Sequence, residues 1–410
     1  MKAFTETGSS GGERNRLEFS LLHRAMEFYC RPAGWSPPLL ALLGLLLAGL
    51  VTALWRSVAR LRHVAFAAGL VHLLFLLADA LFLRQLPRRR ISFGPWKAQA
   101  VVLATPRTAA ALALPLLSSL LGASGTLALQ VGLQALGTAL LYWGAAVEPQ
   151  RLSLTQIELE LPGLPAGGEP IRLLHISDVH MERPTRREEE LIALAEVAQP
   201  DVIVITGDFL NLSYNRDEAA VALVQQFLRR LHAPYGVYAT LGSPPVDLRD
   251  VVPHLFDSVP TRLLRDEWLT VDTGDGRHLH LLGLDCTHYR ERDARRLASL
   301  NAGRPAGSVH VLLYHSPELM PEASEASFDL YLCGHTHGGQ IRLPGIGPII
   351  TSSQLGRRYV MGHYREQGTH LYVSRGVGLE GLSAPRIRFF SPPEITLFTL
   401  RPPASTPGAA

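Results

Sequence analysis

The chain has 410 residues and a formal net charge of +3, and 47% of its residues are hydrophobic. This length allows one membrane domain and one globular domain of about 250 residues, large enough for a full hydrophobic core. The positive charge is spread over arginines near the apolar first part and forms no stripe, which argues against a nucleic-acid-binding protein. Three cysteines, Cys30, Cys286 and Cys333, provide no disulfide framework, which fits a reducing compartment.

The first 147 residues predict a polar segment followed by transmembrane helices. Residues 1–36 are polar or mixed, and no small-residue cleavage site follows the first apolar run, so they do not resemble a cleaved signal. Residues 37–147 contain four apolar runs of the length expected for membrane helices: Pro37–Trp55, Val64–Leu83, Thr108–Ala123 and Thr126–Ala146. The alternative for each run is a buried helix of a soluble bundle. Four runs in succession favour about four membrane helices, with His72 and Asp79 facing neighbouring helices.

Basic residues predict the orientation of these helices, because cytoplasmic loops are enriched in Lys and Arg. They precede the first run and fill the loop between the second and third runs: Lys2, Arg14, Arg16, Arg24, Arg31, Arg84, Arg88, Arg89, Arg90, Lys97 and Arg107. Three arginines of the first loop, Arg56, Arg60 and Arg62, disagree with this assignment. With four helices, the bias predicts an integral protein of the inner or plasma membrane whose C-terminal domain is cytoplasmic. If one of the four runs does not span the membrane, the domain lies on the outer side instead. The lipid bilayer is then a partner.

Residues 148–400 predict one α/β domain. Helices are expected at Arg186–Ala198 and Asp217–Leu231, which have a periodic apolar pattern. Short apolar runs predict buried parallel strands, and later segments add further strands: runs beginning at Ile171, Asp201, Val309 and Tyr331, then Arg277–Leu284, His370–Ser374 and Ile395–Leu400. Two packed mixed sheets flanked by helices satisfy this pattern. The tail Arg401–Ala410, rich in Pro, Ala and Ser, is predicted to be disordered.

Aspartates and histidines follow four of the predicted strands. They are Asp178, His180, Asp208, His315, His335 and His337. Ligands of open α/β folds gather at the carboxyl edge of the sheet, so these six side chains are expected to converge. Two neighbours are interpreted differently: His175 as a strand histidine of the core, and Cys333 as a small buried hydrophobic residue.

The six side chains predict a metal site of a particular class. Carboxylates and imidazoles without thiolates suit Mn, Fe, Zn or Ni and argue against a structural zinc knuckle. Six ligands are too many for one site that leaves room for substrate. Two divalent metal ions that share a carboxylate use them well, and such pairs act on phosphoryl centres.

These motifs resemble those of the calcineurin-like metallophosphoesterases, in particular a membrane-associated bacterial branch. The likeness spans about residues 150–400 and rests on the segments Asp178-Val-His180, Gly207-Asp208-Phe-Leu-Asn211, His315 and Gly334-His335-Thr-His337, together with Gly338–Ile341, Ser374–Gly378 and Pro392–Ile395. The resemblance implies a four-layer α-β-β-α sandwich. It also implies one metal held by Asp178, His180 and His337 and another held by His315 and His335. Asp208 bridges the two, and Asp208 and His315 take the catalytic roles.

One motif departs from that family. Where the family carries Gly-Asn-His-Asp or Gly-Asn-His-Glu, this chain has Gly242-Ser243-Pro244-Pro245. The amide that completes the second metal site is thus a serine, and the histidine that assists the leaving group is a proline. Ser243 itself, Asp247 or a water are the candidates for the missing ligand; the alternative for Asp247 is that it caps a following helical stretch. The second site is therefore expected to be weakened.

Two functions follow from this pattern. The first is a membrane-anchored phosphoesterase that hydrolyses a phosphodiester or pyrophosphate bond, with a lipid-linked substrate suggested by the anchor and with reduced activity. The second is a weak or inactive relative that binds a metal or phosphate group and acts by interaction. Arg375, Arg386 and Arg388 are candidates for contact with substrate phosphate, Arg375 first among them, and a structural ion pair is the alternative for each. The sequence leaves the oligomeric state open.

Overall fold

The computed structural model describes residues 21–274 and 276–403. The first 20 residues, including Lys2, Arg14 and Arg16, and most of the predicted tail, residues 404–410, lie outside the described residues. From residue 21 onward, the N-terminal region forms five α-helices: α1 (Leu21–Cys30), α2 (Pro37–Ser57), α3 (Ala65–Gln85), α4 (Trp96–Ala113) and α5 (Ser118–Tyr142). Among the described residues, three helical stretches are long and apolar enough to cross a membrane: Pro37–Ser57, Ala65–Arg89 and Trp96–Gln150.

The third predicted run, Thr108–Ala123, does not form one helix. Its first part ends α4, which begins at Trp96, because the polar residues before Thr108 interrupt the apolar run without interrupting the helix. A short 3-10 segment at Leu114–Leu117 then contains Pro115, whose ring and missing N–H do not allow the α-helix to continue. The stretch Trp96–Gln150 therefore contains both α4 and α5.

Polar side chains inside the helical region bind one another. Arg107 was expected in a loop but lies in α4, where its Nε is 2.6 Å from Asp79 Oδ2 on α3. Arg107 also donates to Gln134 on α5, and His72 Nε2 is 3.0 Å from Thr108 Oγ1. His72 and Asp79 thus face neighbouring helices as predicted. Pairing of this kind is required of ionisable groups in an apolar bundle.

One end of the helical region packs against the C-terminal domain. Leu83 and Leu141 form an apolar cluster with Ile387. The loop before α4 is held through Phe93, whose N–H donates to Glu182 Oε2 (3.0 Å) and whose carbonyl accepts from the Tyr214 hydroxyl. At the same end Ser383 Oγ donates to the Met26 carbonyl of α1. The opposite end carries the two remaining connections, between α2 and α3 and between α4 and α5.

The C-terminal domain contains two mixed six-stranded sheets, which confirms the predicted α/β class. The first sheet has the order β1-β14-β2-β3-β4-β5, with strands β1 (Ser153–Glu160), β2 (Ile171–Ile176), β3 (Val202–Thr206), β4 (Val237–Thr240), β5 (Arg262–Leu263) and β14 (Glu394–Arg401). The second has the order β12-β13-β9-β8-β7-β6, with strands β6 (Glu267–Asp272), β7 (His278–Gly283), β8 (Val309–Leu313), β9 (Leu330–Cys333), β12 (Gly362–Glu366) and β13 (Thr369–Val373). A separate hairpin pairs β10 (Arg342–Leu343) with β11 (Gly347–Pro348). Arg401, the first residue of the predicted tail, is the last residue of β14.

Alternation along the strands builds three apolar clusters. In β3, Val202 and Val204 join a cluster containing side chains of both sheets, whereas Ile203 and Ile205 join a second cluster with helices α6 (Arg186–Ala198) and α7 (Glu218–Arg229). A third cluster combines the second sheet with α8 (Arg290–Asn301) and α9 (Met320–Glu325). Because β3 is buried on both faces, its sequence is apolar from Val202 to Ile205, as is usual for parallel strands. Strands β2, β3 and β4 run parallel, and so do β7, β8 and β9.

Candidate metal centre

The six predicted ligands lie together just beyond the ends of four strands. Asp178 and His180 follow β2, Asp208 follows β3, His315 follows β8, and His335 and His337 follow β9. All six are buried, with at most 7% of any residue exposed. The two sheets therefore bring their carboxyl edges to one place, as the strand-end pattern predicts.

The backbone at these positions is unusual. Five of the six residues have left-handed backbone conformations: Asp178 (φ 50°), His180 (46°), Asp208 (56°), His335 (70°) and His337 (50°). Non-glycine residues seldom adopt positive φ, and such residues cluster at functional sites. Gly334 is needed beside them, because a Cβ at that position would overlap the Asp178 carboxylate.

The first group of candidate ligands contains Asp178, His180 and His337, whose ligand atoms lie within 4.8 Å of one another. The Nε2 atoms of the two histidines are 3.1 Å apart, and His337 Nε2 is 3.7 Å from Asp178 Oδ1. Two nitrogens that bind one cation at about 2.0–2.1 Å each are expected at such a separation. Burial holds the pKa of His337 well below its ordinary value, so its imidazole is neutral and has a free electron pair.

Asp208 lies between this group and the second one. Its Oδ2 is 3.5 Å from His180 Nε2 and 3.3 Å from His315 Nε2. Burial opposes ionisation of Asp208, but the neighbouring imidazoles, His315 first, outweigh it and hold the pKa below its ordinary range. His315 Nδ1 donates to the Thr206 carbonyl at 2.7 Å, which leaves Nε2 free to face the cluster. An ionised carboxylate between two imidazoles has the position that a bridging ligand requires.

Comparison with known proteins identifies the family. A family model described as calcineurin-like phosphoesterase matches residues 171–243. The uncharacterized metallophosphoesterase YkuE of Bacillus subtilis (strain 168) is 31% identical over 263 residues, which cover 62% of this chain and 87% of YkuE. The chain belongs to the calcineurin-like metallophosphoesterase family.

Two further relatives have names that state a reaction or a membrane location. LpxG of Chlamydia muridarum, named a UDP-2,3-diacylglucosamine pyrophosphatase, is 25% identical over 314 residues, covering 62% of this chain and 91% of LpxG. A Danio rerio protein named a transmembrane protein with metallophosphoesterase domain is 26% identical over 278 residues, covering 63% of this chain and 60% of that protein. The resemblance inferred from the motifs is thus confirmed, and the apolar N-terminal helices fit a membrane protein.

The altered metallophosphoesterase motif places Ser243 inside the cluster. Its hydroxyl lies 3.1 Å from His315 Nε2 and 3.4 Å from His335 Nδ1, and its N–H donates to Asp208 Oδ1 at 2.7 Å. Burial lowers the pKa of His335 to about 3, so that imidazole is also neutral. Ser243 is therefore close enough to act as the weak ligand that the sequence predicts.

His288 is a member of the cluster that the sequence analysis missed. Its Nε2 lies 3.0 Å from Ser243 Oγ, and its ring centroid is 4.5 Å from that of His335. His288, Glu318 and His335 form a second group whose ligand atoms lie within 4.8 Å of one another. The strand-end rule could have found His288, because it follows the predicted strand Arg277–Leu284 by four residues.

Asp247 caps no helix, and its carboxylate binds the backbone of two neighbouring loops. Its carboxylate accepts hydrogen bonds from the backbone N–H groups of Asp208 (2.8 Å), Phe209 (2.9 Å) and Gly242 (2.7 Å). These bonds occupy both oxygens and fix the two loops that carry Asp208 and Ser243. No helix begins at Asp247; the next helical segment starts at Val252 without a side-chain cap. Burial, helped by the charge of Asp208, raises the pKa of Asp247 to about 6.

The candidate phosphate-binding arginines are engaged within the protein. Arg375 Nη2 is 2.6 Å from Glu394 Oε2, so the structural ion pair describes it better than the predicted substrate contact. Arg386 Nη2 is 2.7 Å from Glu182 Oε1 and is buried. Arg388 is buried as well; its Nη2 donates to the Gly378 carbonyl and lies 3.2 Å from His337 Nδ1, so it is engaged within the protein beside a candidate ligand.

Proposed function

We propose that the protein is a membrane-anchored, metal-dependent phosphoesterase that hydrolyses a phosphodiester or pyrophosphate bond of a lipid-linked substrate. The observation that carries this proposal is the position of the cluster of candidate metal ligands. His337 belongs to the cluster and also lines an apolar pocket whose other wall comes from the N-terminal helices.

The donor set suits two divalent cations, Mn, Fe, Zn or Ni. Asp178, His180 and His337 would hold one, His315 and His335 the other, and Asp208 would lie between them. Bound metals of this kind polarise a phosphoryl oxygen and lower the pKa of water. The chain's own contribution is to exclude bulk water, since all six side chains are buried, and to hold the imidazoles of His335 and His337 neutral.

The pocket beside the cluster suits an acyl chain. It has a volume of about 320 Å³ and is lined by Met26 and Tyr29 of α1, Val102 of α4, Ile349 and Ile350 after β11, and His337. If an acyl chain of the substrate occupies this pocket, the phosphate group of the substrate would lie next to His337. The printed name of the relative LpxG describes a pyrophosphatase acting on a diacylated glucosamine nucleotide. Both the apolar pocket and the substrate in the name of this relative therefore favour an acylated substrate.

The cytoplasmic side of an inner or plasma membrane is the proposed location of the phosphoesterase domain. The helix ends that contact this domain carry more basic residues than the far end: Arg24, Arg31, Arg84, Arg88, Arg89, Arg90 and Lys97 against Arg56, Arg60 and Arg62. This difference favours the cytoplasm for the domain. The difference in basic residues is smaller than the one counted from the sequence alone, because Arg107 lies inside the helical bundle and not in a loop.

Metal analysis together with turnover tests the proposal against the inactive alternative. Full-length protein in detergent, loaded with Mn²⁺ and desalted, is expected to retain two metals per chain and to hydrolyse an activated aryl phosphodiester. One metal or none in the wild type, with turnover appearing only after Ser243→Asn and Pro244→His, would instead favour a binding protein. Chelation should abolish turnover, and Mn²⁺ should restore it.

The acyl-chain pocket leads to a separate prediction. Ile350→Asp should lower kcat/KM for a phosphodiester carrying two alkyl chains at least about tenfold, because a charge replaces apolar surface in the pocket. Hydrolysis of the short aryl phosphodiester should change little. Ile346→Asp is the matched control, since Ile346 lies in the turn of the β10–β11 hairpin four residues before Ile350, is 62% exposed and does not line the pocket. Equal losses on both substrates would contradict the assignment of the pocket.

A further inference from the structure

We propose that His288 is a ligand of the second metal and takes the place of the asparagine that this chain lacks at position 243. Glu318 positions it. This inference rests on the proposed two-metal function and specifies how this chain completes the site. It assigns a role to a histidine outside the motifs shared with the family.

Three imidazoles converge on one hydroxyl at this point. Ser243 Oγ lies 3.0 Å from His288 Nε2, 3.1 Å from His315 Nε2 and 3.4 Å from His335 Nδ1. Two of these histidines are already candidate ligands of the second metal. The third arrives from the loop after β7, which neighbours β8 in the second sheet. Its nitrogen is thus directed at the same small volume.

His288 shares the features of the other candidate ligands. It is 1% exposed, and its φ of 59° is left-handed like that of five of them. Its ring centroid lies 4.5 Å from that of His335, comparable to the 4.9 Å between His180 and His337 in the first group. A buried imidazole in strained backbone beside two others is typical of a ligand set.

Glu318 lies on the far side of the His288 ring. Its Oε2 is 3.8 Å from His288 Nδ1, whereas Nε2 faces Ser243. Glu318 is 1% exposed and accepts from the N–H of Gln354 (3.0 Å) and from the Ser316 hydroxyl. A carboxylate behind a histidine orients the ring of many metal ligands. The thiol of Cys286, 3.7 Å from His288 Nε2, is the other polar group near this nitrogen.

Serine at position 243 is what makes room for His288. An asparagine side chain has a carboxamide where serine has a hydroxyl, so it is longer and bulkier. At position 243 its amide would enter the space between Ser243 Oγ and His288 Nε2, which are only 3.0 Å apart. The two ligands therefore exclude each other. With serine at position 243 and histidine at position 288, the second metal would be bound by an imidazole from the loop after β7 in place of an amide from the loop after β4.

The test measures metal binding to the full-length protein in detergent, by mass spectrometry of desalted samples and by Mn²⁺ titration. Wild type is expected to bind two Mn²⁺. His288→Ala should retain one, and Ser243→Asn in the same chain should restore the second. Glu318→Gln should weaken the second site by about 10–100-fold without removing it. His254→Ala, on the surface with a side chain 75% exposed, should behave as wild type.

The outcomes separate this inference from the function on which it rests. If wild type binds two metals and His288→Ala, or the aromatic variant His288→Phe, which has no ligand atom, binds both with unchanged affinity, His288 is not a ligand and the proposed function still stands. If wild type binds fewer than two metals, the proposed function fails first. If Cys286→Ala loses the second metal and His288→Ala does not, the ligand is the thiol of Cys286 and not the imidazole of His288. Thermal unfolding of each variant shows whether a lost metal reflects a lost fold.

Discussion

Asp208→Asn is expected to lower turnover by about 10²–10³-fold and to remove at least one of the two metals. The carboxylate of Asp208 lies 3.5 Å from His180 and 3.3 Å from His315, which is the position of a ligand shared by two cations. An amide has the same shape but no charge, so it cannot hold two cations close together. Metal content and aryl phosphodiester turnover of the same preparation check this result.

The fold of Asp208→Asn should survive, because the hydrogen bond from Ser243 N–H to Oδ1 can still form with an amide oxygen. Asp257→Asn is the control: Asp257 is an exposed aspartate paired with His254, and its loss should change neither metal content nor turnover. Full activity of Asp208→Asn with two metals bound would show that Asp208 does not bridge them, and the two-metal proposal would have to be abandoned.

The first-group ligands were predictable because they obey one rule. Asp178, His180 and His337 follow apolar strands directly, and parallel strands bring their carboxyl ends to one edge whatever the details of packing. The helix Arg186–Ala198 was predictable with its bounds for a similar local reason: Thr185 and Glu188 form a capping box at its start. Such signals are contained within a few residues of sequence.

The misassigned residues depend on contacts between distant segments. Asp247 was a candidate ligand because it is a carboxylate close to the other candidate ligands. Its carboxylate accepts hydrogen bonds from three N–H groups of the loops after β3 and β4. Arg107 suggested a loop because it is charged, yet Asp79, 28 residues away, neutralises it inside the helical region. His288 showed a strand-end signal, but the family motifs drew attention to Ser243 and not to a loop 45 residues later.

Asp247→Ala is expected to lower the free energy of unfolding of the phosphoesterase domain by about 3–5 kcal/mol. The substitution leaves three buried N–H groups without acceptors: those of Asp208, Phe209 and Gly242. Each unsatisfied buried group costs about 1–3 kcal/mol, and partial relaxation of the two loops keeps the total below the sum. Denaturant unfolding followed by circular dichroism measures the change.

Asp247→Asn distinguishes this structural role from the ligand role predicted from the sequence. The amide keeps one acceptor oxygen but turns an NH₂ group toward at least one donor, so stability should fall while the protein that remains folded still binds two metals. Asp250→Ala, three residues away and paired with Arg216 at the surface, should change stability by less than about 1 kcal/mol. Loss of a metal in Asp247→Asn at unchanged stability would return Asp247 to the ligand set. Because its carboxylate fixes both Asp208 and Ser243, we expect stability to respond first and metal binding only through the loops.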